Sequence, residues 1–292
     1  MSIRLVVTDM DNTLYSWVDY IVPAVEAMVD AVQRATGFPR IQVVQALKEV
    51  YGKYESNEYP FALQESALYK AFPEFGSFDK LVIEPARAAF SYARRKYLVP
   101  YKGVRETLAK LKEQRVVVVA LTDAPMNPAQ GRVKALGLDD VLTALFTMPG
   151  FEFPKGADGA PLVAAEIIQK SENGGYEAKC PTIELPRDWE KPNPAGLKKI
   201  LSTYGVSPGE VLVVGDSVKK DIAVAQAVGC HDAWAEYGTY VSTEYRERLD
   251  IISSPAITRR HAAHVLEAGV QPVKPTRALS NFSQVLELVA TL

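Results

Sequence analysis

The chain contains few of the residues on which several classes of protein depend. It has 2 cysteines and 3 histidines among 292 residues, and Cys180 and Cys230 show neither the CxxC spacing nor the Cys/His spacing of a structural zinc site. A disulfide framework is therefore not expected, and a reducing compartment fits the cysteine usage best. The apolar stretch Met1–Val7 meets Asp9 and is too short for a signal-peptide core or a membrane span. We expect a soluble, cytoplasmic protein.

The chain also lacks an excess of either charge. Its 33 Lys and Arg residues nearly balance its 35 Asp and Glu residues, which leaves a formal net charge of −2. This balance provides no broad positive surface for nucleic acid or for an acidic membrane, so any affinity for anions must be local. At about 150 residues per domain, the length predicts two domains or one large domain with an insertion. We expect neither a nucleic-acid nor a membrane partner, and the oligomeric state is left open.

Short apolar runs rich in branched residues are present at Ile3–Val7, Val116–Leu121 and Val211–Val214. This composition is typical of strands that are buried on both faces of a parallel sheet. Segments with helical periodicity lie between the runs, including Val104–Lys112 and Pro128–Leu136. The alternation predicts an α/β fold with a doubly wound, Rossmann-like parallel sheet, in which ligands bind at the carboxyl ends of the strands.

Two stretches depart from this alternation. Residues 16–97 contain several amphipathic helical patterns but no pattern of a buried strand. They predict an α-helical cap domain inserted into a catalytic core that consists of residues 1–15 and 98–292. Residues of about 148–190 are rich in proline and glycine, and a structureless loop of this length is unusual in a compact domain. We interpret this insertion as a small folded elaboration of the core, in which strands are one option.

Polar residues follow each of the three strand-like runs, and a lysine between Glu and Pro precedes the third run. These residues are Asp9, Asp11, Thr122, Asp123, Lys191, Asp216 and Asp221. Taken singly, each has an ordinary structural explanation as a helix cap, a turn former or a solvated charge. Because the carboxyl ends of parallel strands meet at one edge of a sheet, together they predict a single site. Acids that converge there repel one another unless a cation is bound between them or one is protonated.

The order Asp-x-Asp, Thr, Lys and Gly-Asp-x4-Asp resembles the motifs of the haloacid dehalogenase-like (HAD) hydrolase superfamily, specifically its magnesium-dependent phosphatases. The resemblance covers Ile3 to about Gly238, with the predicted helices in the place of the family's cap. It implies that Asp9 is a nucleophile that forms an aspartyl-phosphate, and that Asp11 acts as general acid and then as general base. The dehalogenase branch lacks this second acid, so the presence of Asp11 argues against dehalogenation.

The resemblance also implies which residues hold the substrate and the metal. The implied phosphate ligands are Thr122, Asp123 and Lys191, and Lys191 also offsets the charge that develops during transfer. The implied Mg²⁺ ligands are Asp9, Asp11, Asp216 and Asp221. Asp11 contributes its main-chain carbonyl, and Asp221 binds through water or orients the other ligands.

These inferences predict Mg²⁺-dependent hydrolysis of a small phosphomonoester through an aspartyl-phosphate. The expected partner is a small phosphorylated metabolite, because a helical cap makes a closed chamber over the site. Two alternatives are left open. The first is a phosphomutase of the same superfamily, which returns the phosphoryl group to a sugar. The second is a non-catalytic binding protein that retains the fold.

Two further patterns carry weaker predictions. Tyr15, Trp17 and Tyr20 follow the first motif and either line the entrance of the site or pack between cap and core. A polar helical pattern covers Thr243–Ala268. Its two histidines lack metal-ligand spacing with the acids, and no function is assigned to them.

Overall fold

The computed structural model describes residues 2–72, 77–175, 177–255, 257–258 and 273–292. The described residues include a six-stranded sheet in which all strand pairs are parallel. Its strands are β1 (Leu5–Thr8), β2 (Val117–Pro125), β3 (Ala144–Met148), β4 (Thr182–Glu184), β5 (Val211–Gly215) and β6 (His231–Trp234). The order across the sheet is β4-β3-β2-β1-β5-β6, which confirms the predicted doubly wound α/β fold.

Strand β1 lies in the middle of the sheet. Leu5 is aligned with Val117 of β2 on one side and with Val211 of β5 on the other. All four residues of β1 are buried, which is why the strand consists of apolar residues and a threonine rather than alternating polar ones. From β1 the chain first builds one side of the sheet and then crosses to the other. Ligands of such sheets bind in the crevice at this change of direction, which places the carboxyl end of β1 at the expected site.

Helices cover both faces of the sheet and form a separate layer above its carboxyl edge. The helices are α1 (Trp17–Thr36), α2 (Arg40–Tyr54), α3 (Ala62–Glu65), α4 (Ala67–Ala71), α5 (Glu84–Tyr97), α6 (Val104–Glu113), α7 (Met126–Ala135), α8 (Ala165–Glu172), α9 (Ala195–Tyr204), α10 (Ala223–Val228), α11 (Thr243–Ile252) and α12 (Val285–Thr291). Wider single turns precede α5 and α10, at Asp79–Ile83 and Val218–Ile222. Short 3₁₀ turns occur at Arg187–Trp189, Pro208–Glu210, Glu236–Gly238 and Phe282–Gln284.

Helices α1 to α5 fall within the range predicted for the cap. Ser16 caps α1 by accepting a hydrogen bond from the Asp19 N–H. The chain leaves and re-enters the sheet-containing part through two adjacent segments, because Tyr15 pairs with Pro100 and the Tyr101 N–H donates to the Leu14 carbonyl at 2.9 Å. The boundaries of the two domains stay a prediction.

The proline- and glycine-rich insertion contains α8 and β4, and β4 pairs with β3 at the edge of the sheet. The first part of the insertion contacts residues 16–97, which we call the helical segment, through aromatic rings. The ring centroid of Phe151 lies 5.0 Å from that of Tyr59, and the ring centroid of Phe153 lies 5.5 Å from that of Phe61. The insertion therefore packs against residues 16–97 as well as against the sheet.

The helix predicted over Thr243–Ala268 is interrupted after Ile252, and helical geometry resumes at Pro255. Helix α11 ends at Ile252, and Ser253 has extended backbone angles. Pro255 lacks a backbone donor and disfavours helical geometry at the preceding residue, which explains the early end. His261 and His264 lie outside the described residues.

Two expectations that rest on composition can be compared with the fold. Cys180 and Cys230 are both buried and free, so they are not joined to each other. Across the described ranges, no helix combines the length and the apolarity that crossing a membrane requires.

Candidate active site

The parallel strands bring the sequence-predicted residues to one edge of the sheet. Asp9 follows β1 directly, and its N–H donates to the carbonyl of Val214 in β5 at 2.8 Å. Thr122 lies in the last half of β2, and Asp216 follows β5. The main-chain carbonyl of Asp216 accepts a hydrogen bond from the Trp234 indole N–H at 2.8 Å. The positions of the acids are therefore set by the register of the central strands.

Lys191 occupies the centre of the site. Its ammonium donates to Oδ1 of Asp9 at 2.6 Å, to Oδ1 of Asp221 at 2.7 Å and to the carbonyl of Leu121 at 3.2 Å. An ammonium has three donors, and these three bonds use all of them. The residue is only 5% exposed. Lys191 is thus a fixed positive charge between two acids and not a solvated surface lysine.

Three carboxylates form a compact buried cluster around this ammonium. Asp9, Asp216 and Asp221 each offer an oxygen, and these oxygens lie within 4.8 Å of one another. With the ammonium of Lys191, the cluster has a formal charge of −2 when all three acids are ionised. Oxygen ligands and a double negative charge suit a hard divalent cation such as Mg²⁺. The residues present therefore fit the metal that the sequence predicts.

The protonation of these groups reflects their burial and their neighbours. Burial, opposed by Lys191 and assisted by the charges of Asp221 and Asp11, raises the pKa of Asp9 to about 7. Burial together with the charges of Asp9 and Asp221 holds the pKa of Asp216 well above its ordinary value. Burial disfavours the charged form of Lys191, but Asp221 and Asp9 outweigh it and hold the pKa of Lys191 well above its usual range. The site therefore keeps its ammonium charged and disfavours ionisation of Asp9 and Asp216 until a further cation compensates them.

The carboxyl group of Asp11 points away from this cluster. Tyr15 donates its hydroxyl to Oδ1 at 2.5 Å, and Arg132 donates to Oδ2 at 3.3 Å. Burial raises the pKa of Asp11, although the nearby Arg132 acts in the opposite direction. A raised pKa suits a group that must give up a proton. Asp11 also lines the cavity above the site, where a leaving group would lie.

The two residues predicted at the end of β2 have different surroundings. The buried hydroxyl oxygen of Thr122 accepts a hydrogen bond from the Ala124 N–H at 3.1 Å, and Thr122 lines the cavity. The carboxylate of Asp123 accepts from the Lys191 N–H at 3.0 Å and from the ammonium of Lys220 at 2.7 Å. A carboxylate offers no donor to a phosphate, and the side-chain oxygens of Asp123 contact the backbone of Lys191 and the ammonium of Lys220 instead. The predicted role of Asp123 in phosphate binding stays a prediction.

Gly215 allows Asp221 to pass close to the end of β5. A Cβ atom at position 215 would lie 2.2 Å from the carboxyl carbon of Asp221. The carboxylate of Asp221 cannot move freely, because it also accepts from Lys191 and from the Ser217 N–H at 3.0 Å.

We therefore expect Gly215→Ala to lower the free energy of unfolding by about 1–3 kcal/mol and to weaken Mg²⁺ binding. Urea denaturation and calorimetric titration with Mg²⁺ would measure the two effects. Gly52→Ala is the matched control, because Gly52 lies inside α2 and a Cβ there would make an ordinary contact of 3.4 Å with Ser254. The control should be neutral or slightly stabilising. Equal behaviour of both variants would contradict the close packing of Asp221.

A cavity of about 1620 Å³ opens above these residues. Its walls include the carboxyl edge of the sheet, the loop that follows α2, helices α3 and α4, and residues 148–162 of the insertion. Of the three aromatic residues predicted near the entrance, Trp17 lines the cavity. Tyr15 and Tyr20 are fully buried behind it, with their ring centroids 6.1 Å apart.

Sequence reasoning missed two charged residues beside the site, one buried and one largely buried. Arg132 of α7 pairs with Asp11 and with Glu58, which lies in the loop after α2. Arg132 is 1% exposed. Nothing in the sequence around Arg132 distinguishes it from a solvated charge on a helix, and Glu58 lies in a polar segment. Only the packing of residues 16–97 over the sheet brings the two together.

Comparison with known proteins agrees with this geometry. The family model described as haloacid dehalogenase-like hydrolase matches residues 3–171, which is more than half of the chain, and a model described as HAD-hydrolase-like matches residues 188–265. A phosphoglycolate phosphatase of Aliivibrio fischeri is 27% identical over 240 residues, covering 81% of this chain and 85% of its own. A glyceraldehyde 3-phosphate phosphatase of Pyrococcus furiosus is 27% identical over 158 residues, which is 53% of this chain and 51% of its own.

A solved structure of similar fold is the 2-haloacid dehalogenase from Pseudomonas syringae pv. Tomato DC3000. It has a TM-score of 0.56 and 20% sequence identity, and the comparison covers 99% of this chain and 98% of that chain. At this identity the similarity concerns the fold alone.

The chain belongs to the haloacid dehalogenase-like hydrolases. Within this family it is an enzyme of the phosphatase type, in agreement with the phosphatases among its relatives.

Proposed function

We propose that the protein hydrolyses a small phosphomonoester in a Mg²⁺-dependent reaction that passes through an aspartyl-phosphate on Asp9. The observation that carries the proposal is the buried group of Asp9, Asp216 and Asp221 around the ammonium of Lys191, at the base of a cavity. A nucleophile, a cation site and a fixed positive charge within hydrogen-bond distance of one another are the parts that phosphoryl transfer requires.

In the first step, an oxygen of Asp9 forms a bond to phosphorus while the bond from phosphorus to the ester oxygen breaks. Lys191, which donates to Asp9 in the resting site, holds the nucleophile in place and offsets the negative charge of the phosphoryl group. Asp11, which lines the cavity, gives its proton to the departing alkoxide. The products of this step are a free alcohol and the aspartyl-phosphate.

In the second step, the ionised carboxylate of Asp11 removes a proton from water, and the water oxygen attacks the phosphorus. The bond from phosphorus to Asp9 breaks, so that inorganic phosphate leaves and both acids return to their starting states. The buried hydroxyl of Thr122 lies at the same edge and would donate to a phosphoryl oxygen. A covalent carboxylate intermediate is advantageous because it replaces one difficult displacement at phosphorus with two easier ones.

Asp9 and Asp216 would hold the metal, together with the main-chain carbonyl of Asp11, and Asp221 would bind it through water or orient the other ligands. When bound, Mg²⁺ would neutralise the acids and allow an anionic substrate to approach an anionic nucleophile. The carboxyl group of Asp11 remains available for proton transfer, because it is directed to Tyr15 and Arg132 and not to the cluster.

We propose a small phosphorylated metabolite as the substrate, and no nucleic-acid partner, because the helical segment and the insertion both wall the cavity. The relatives suggest phosphoglycolate and glyceraldehyde 3-phosphate as the first compounds to assay. The cavity of about 1620 Å³ exceeds the usual range of roughly 300–1,000 Å³ for small-molecule sites, so larger phosphomonoesters belong in the same panel.

The test is phosphate release from such a panel by the purified protein with Mg²⁺ and with a chelator. We expect release with Mg²⁺ and its loss with the chelator. We also expect Mg²⁺ alone to raise the thermal unfolding midpoint, and Asp216→Asn to remove this rise. Isomer formation without phosphate release would indicate the phosphomutase instead. A protein that binds but never turns over a substrate would be the non-catalytic alternative.

A further inference from the structure

A largely buried network of polar and aromatic side chains extends from Asp11 into the helical segment. We call it the Arg132 network, and its members are Asp11, Tyr15, Trp17, Tyr20, Glu58 and Arg132. Arg132 lies at its centre and donates to both Asp11 and Glu58. Glu58 also accepts from the hydroxyl of Tyr20 and, at 3.0 Å, from the indole N–H of Trp17. The carboxylate of Glu58 thus accepts from three members of the network.

The network connects the helical segment to the part of the chain that contains the sheet. Arg132 belongs to α7, the helix that follows the strand of Thr122. Glu58 belongs to the loop after α2, in the range predicted for the cap, and lines the cavity. Asp11 belongs to the loop after β1. One guanidinium therefore links the proposed proton donor to the helical segment.

The geometry fixes the carboxyl group of Asp11 from two sides. Tyr15 holds Oδ1 and Arg132 holds Oδ2, so rotation of the carboxyl group is restricted. The guanidinium itself cannot turn, because it is 1% exposed, donates to the Tyr20 hydroxyl at 3.3 Å and lies 5.9 Å from the ring of Tyr15. The planar guanidinium holds its donors in a fixed geometry, which the ammonium group of a lysine does not.

We infer that Arg132, anchored by Glu58, is a positioning residue that sets the orientation of Asp11 for proton transfer to the leaving group. The inference deepens the proposed function and rests on it. Arg132 does not belong to the cavity wall that the described residues form, so it acts through Asp11 and not on the substrate.

The inference predicts a dependence on the leaving group that a general loss of structure would not produce. The value of kcat/KM reports the steps up to the departure of the alcohol. A p-nitrophenolate leaves readily without a proton donor, whereas an alkoxide such as p-nitrobenzyl alkoxide needs one. The two corresponding phosphates are similar in size, so they differ mainly in their need for a correctly placed acid.

Arg132→Lys keeps the charge but removes the fork. We expect it to lower kcat/KM for p-nitrobenzyl phosphate by about 10- to 100-fold, since a misplacement of about 1 Å can cost 10²-fold. For p-nitrophenyl phosphate we expect a loss of less than about threefold. Glu58→Gln leaves Arg132 in place but weakens its anchor, and it should show the same selectivity with a smaller loss. If Arg132→Lys does not fold, Glu58→Gln carries the test.

The matched control is Arg105→Lys. Arg105 also makes a two-bond contact with a carboxylate, at 3.1 and 2.9 Å to Asp140, but this pair is exposed and remote from the cavity. The control should leave both kcat/KM values unchanged. Circular dichroism melts of all variants would show that they are folded under the assay conditions.

Asp11→Asn separates failure of this inference from failure of the proposed function. It should lower kcat/KM for the benzyl ester by about 10²-fold or more and that for the phenyl ester far less. In the Asp11→Asn background, Arg132→Lys should not change the ratio of the two values further. If Asp11→Asn affects both esters equally, the proposed role of Asp11 is wrong and the inference fails with it. If Asp11→Asn is selective while Arg132→Lys and Glu58→Gln lower both values equally, the inference alone is overturned.

Discussion

Asp9→Asn is expected to lower the rate of phosphate release by at least about 10³-fold, as observed in general when a covalent nucleophile is removed. The neutral amide oxygen is a far weaker nucleophile than a carboxylate oxygen and cannot form a stable acyl phosphate, and the amide carries no charge for Lys191 or a metal ion. The change leaves the shape of the side chain almost unaltered. Steady-state assays with p-nitrophenyl phosphate and Mg²⁺ would measure the loss.

The same variant should remain folded. Asp9 is one of three buried acids that share a single ammonium, and its charge raises the pKa of Asp216. Removal of this charge lowers the repulsion in the cluster, so the free energy of unfolding should be unchanged or higher in metal-free buffer. Asp140→Asn is the control, because Asp140 is an exposed acid that pairs with Arg105. Activity of Asp9→Asn within tenfold of the parent would exclude Asp9 as the nucleophile.

Lys191→Met is expected to give the largest loss of stability among the variants considered. The ammonium lies 2.6 Å from Asp9 and 2.7 Å from Asp221, and both partners are buried. Its removal leaves buried carboxylates unpaired, which typically costs about 3–5 kcal/mol. Loss of the positive charge at the phosphoryl group should also lower kcat by about 10²-fold or more. Chemical denaturation in metal-free buffer and steady-state kinetics would measure the two losses.

Lys220→Met provides the comparison for this variant. Lys220 also pairs with two acids, Asp123 at 2.7 Å and Glu190 at 3.0 Å, but it is only partly buried. Because solvent screens such pairs, its loss should cost only about 1 kcal/mol. Mg²⁺ should recover more stability in Lys191→Met than in Lys220→Met, since the cation compensates the acids that lost their partner. Equal destabilisation of the two variants would refute the central role of Lys191.

The strands that were predicted from sequence are the three that lie side by side in the middle of the sheet, whereas β3, which is equally buried, was not predicted. Strands β1, β2 and β5 occupy the middle of the sheet and have apolar runs that match this position. Strand β6 lies at an edge and consists of four residues that include His231 and Asp232. Asp232 is satisfied by Thr276, which donates through both its N–H and its hydroxyl. The contacts that stabilise β6 come from residues that are distant in sequence. The sequence of β6 itself therefore shows no hydrophobic pattern from which a strand could be predicted.

The site divides in the same way between local and distant determinants. Asp9, Thr122 and Asp216 could be predicted because each follows or ends an apolar strand, and parallel strands end at one edge. Asn12 has a positive φ of 58°, which glycine and asparagine tolerate best, so the turn after β1 is also encoded locally. Arg132 and Glu58 differ, because their pairing depends on how the helical segment folds over the sheet.

The central position of β1 also determines when the protein can fold during synthesis. This strand is synthesised before the other five strands, but its pairing with β5 requires Val211–Gly215, about 200 residues later. At roughly 5–20 residues per second, the ribosome needs about 10–40 s to make this stretch. During that time β1 has an open edge of backbone donors and acceptors, which can pair with other chains. Residues 16–97 emerge well before β5, and Asp9 meets the other two acids of its cluster, Asp216 and Asp221, only after β5 has been translated.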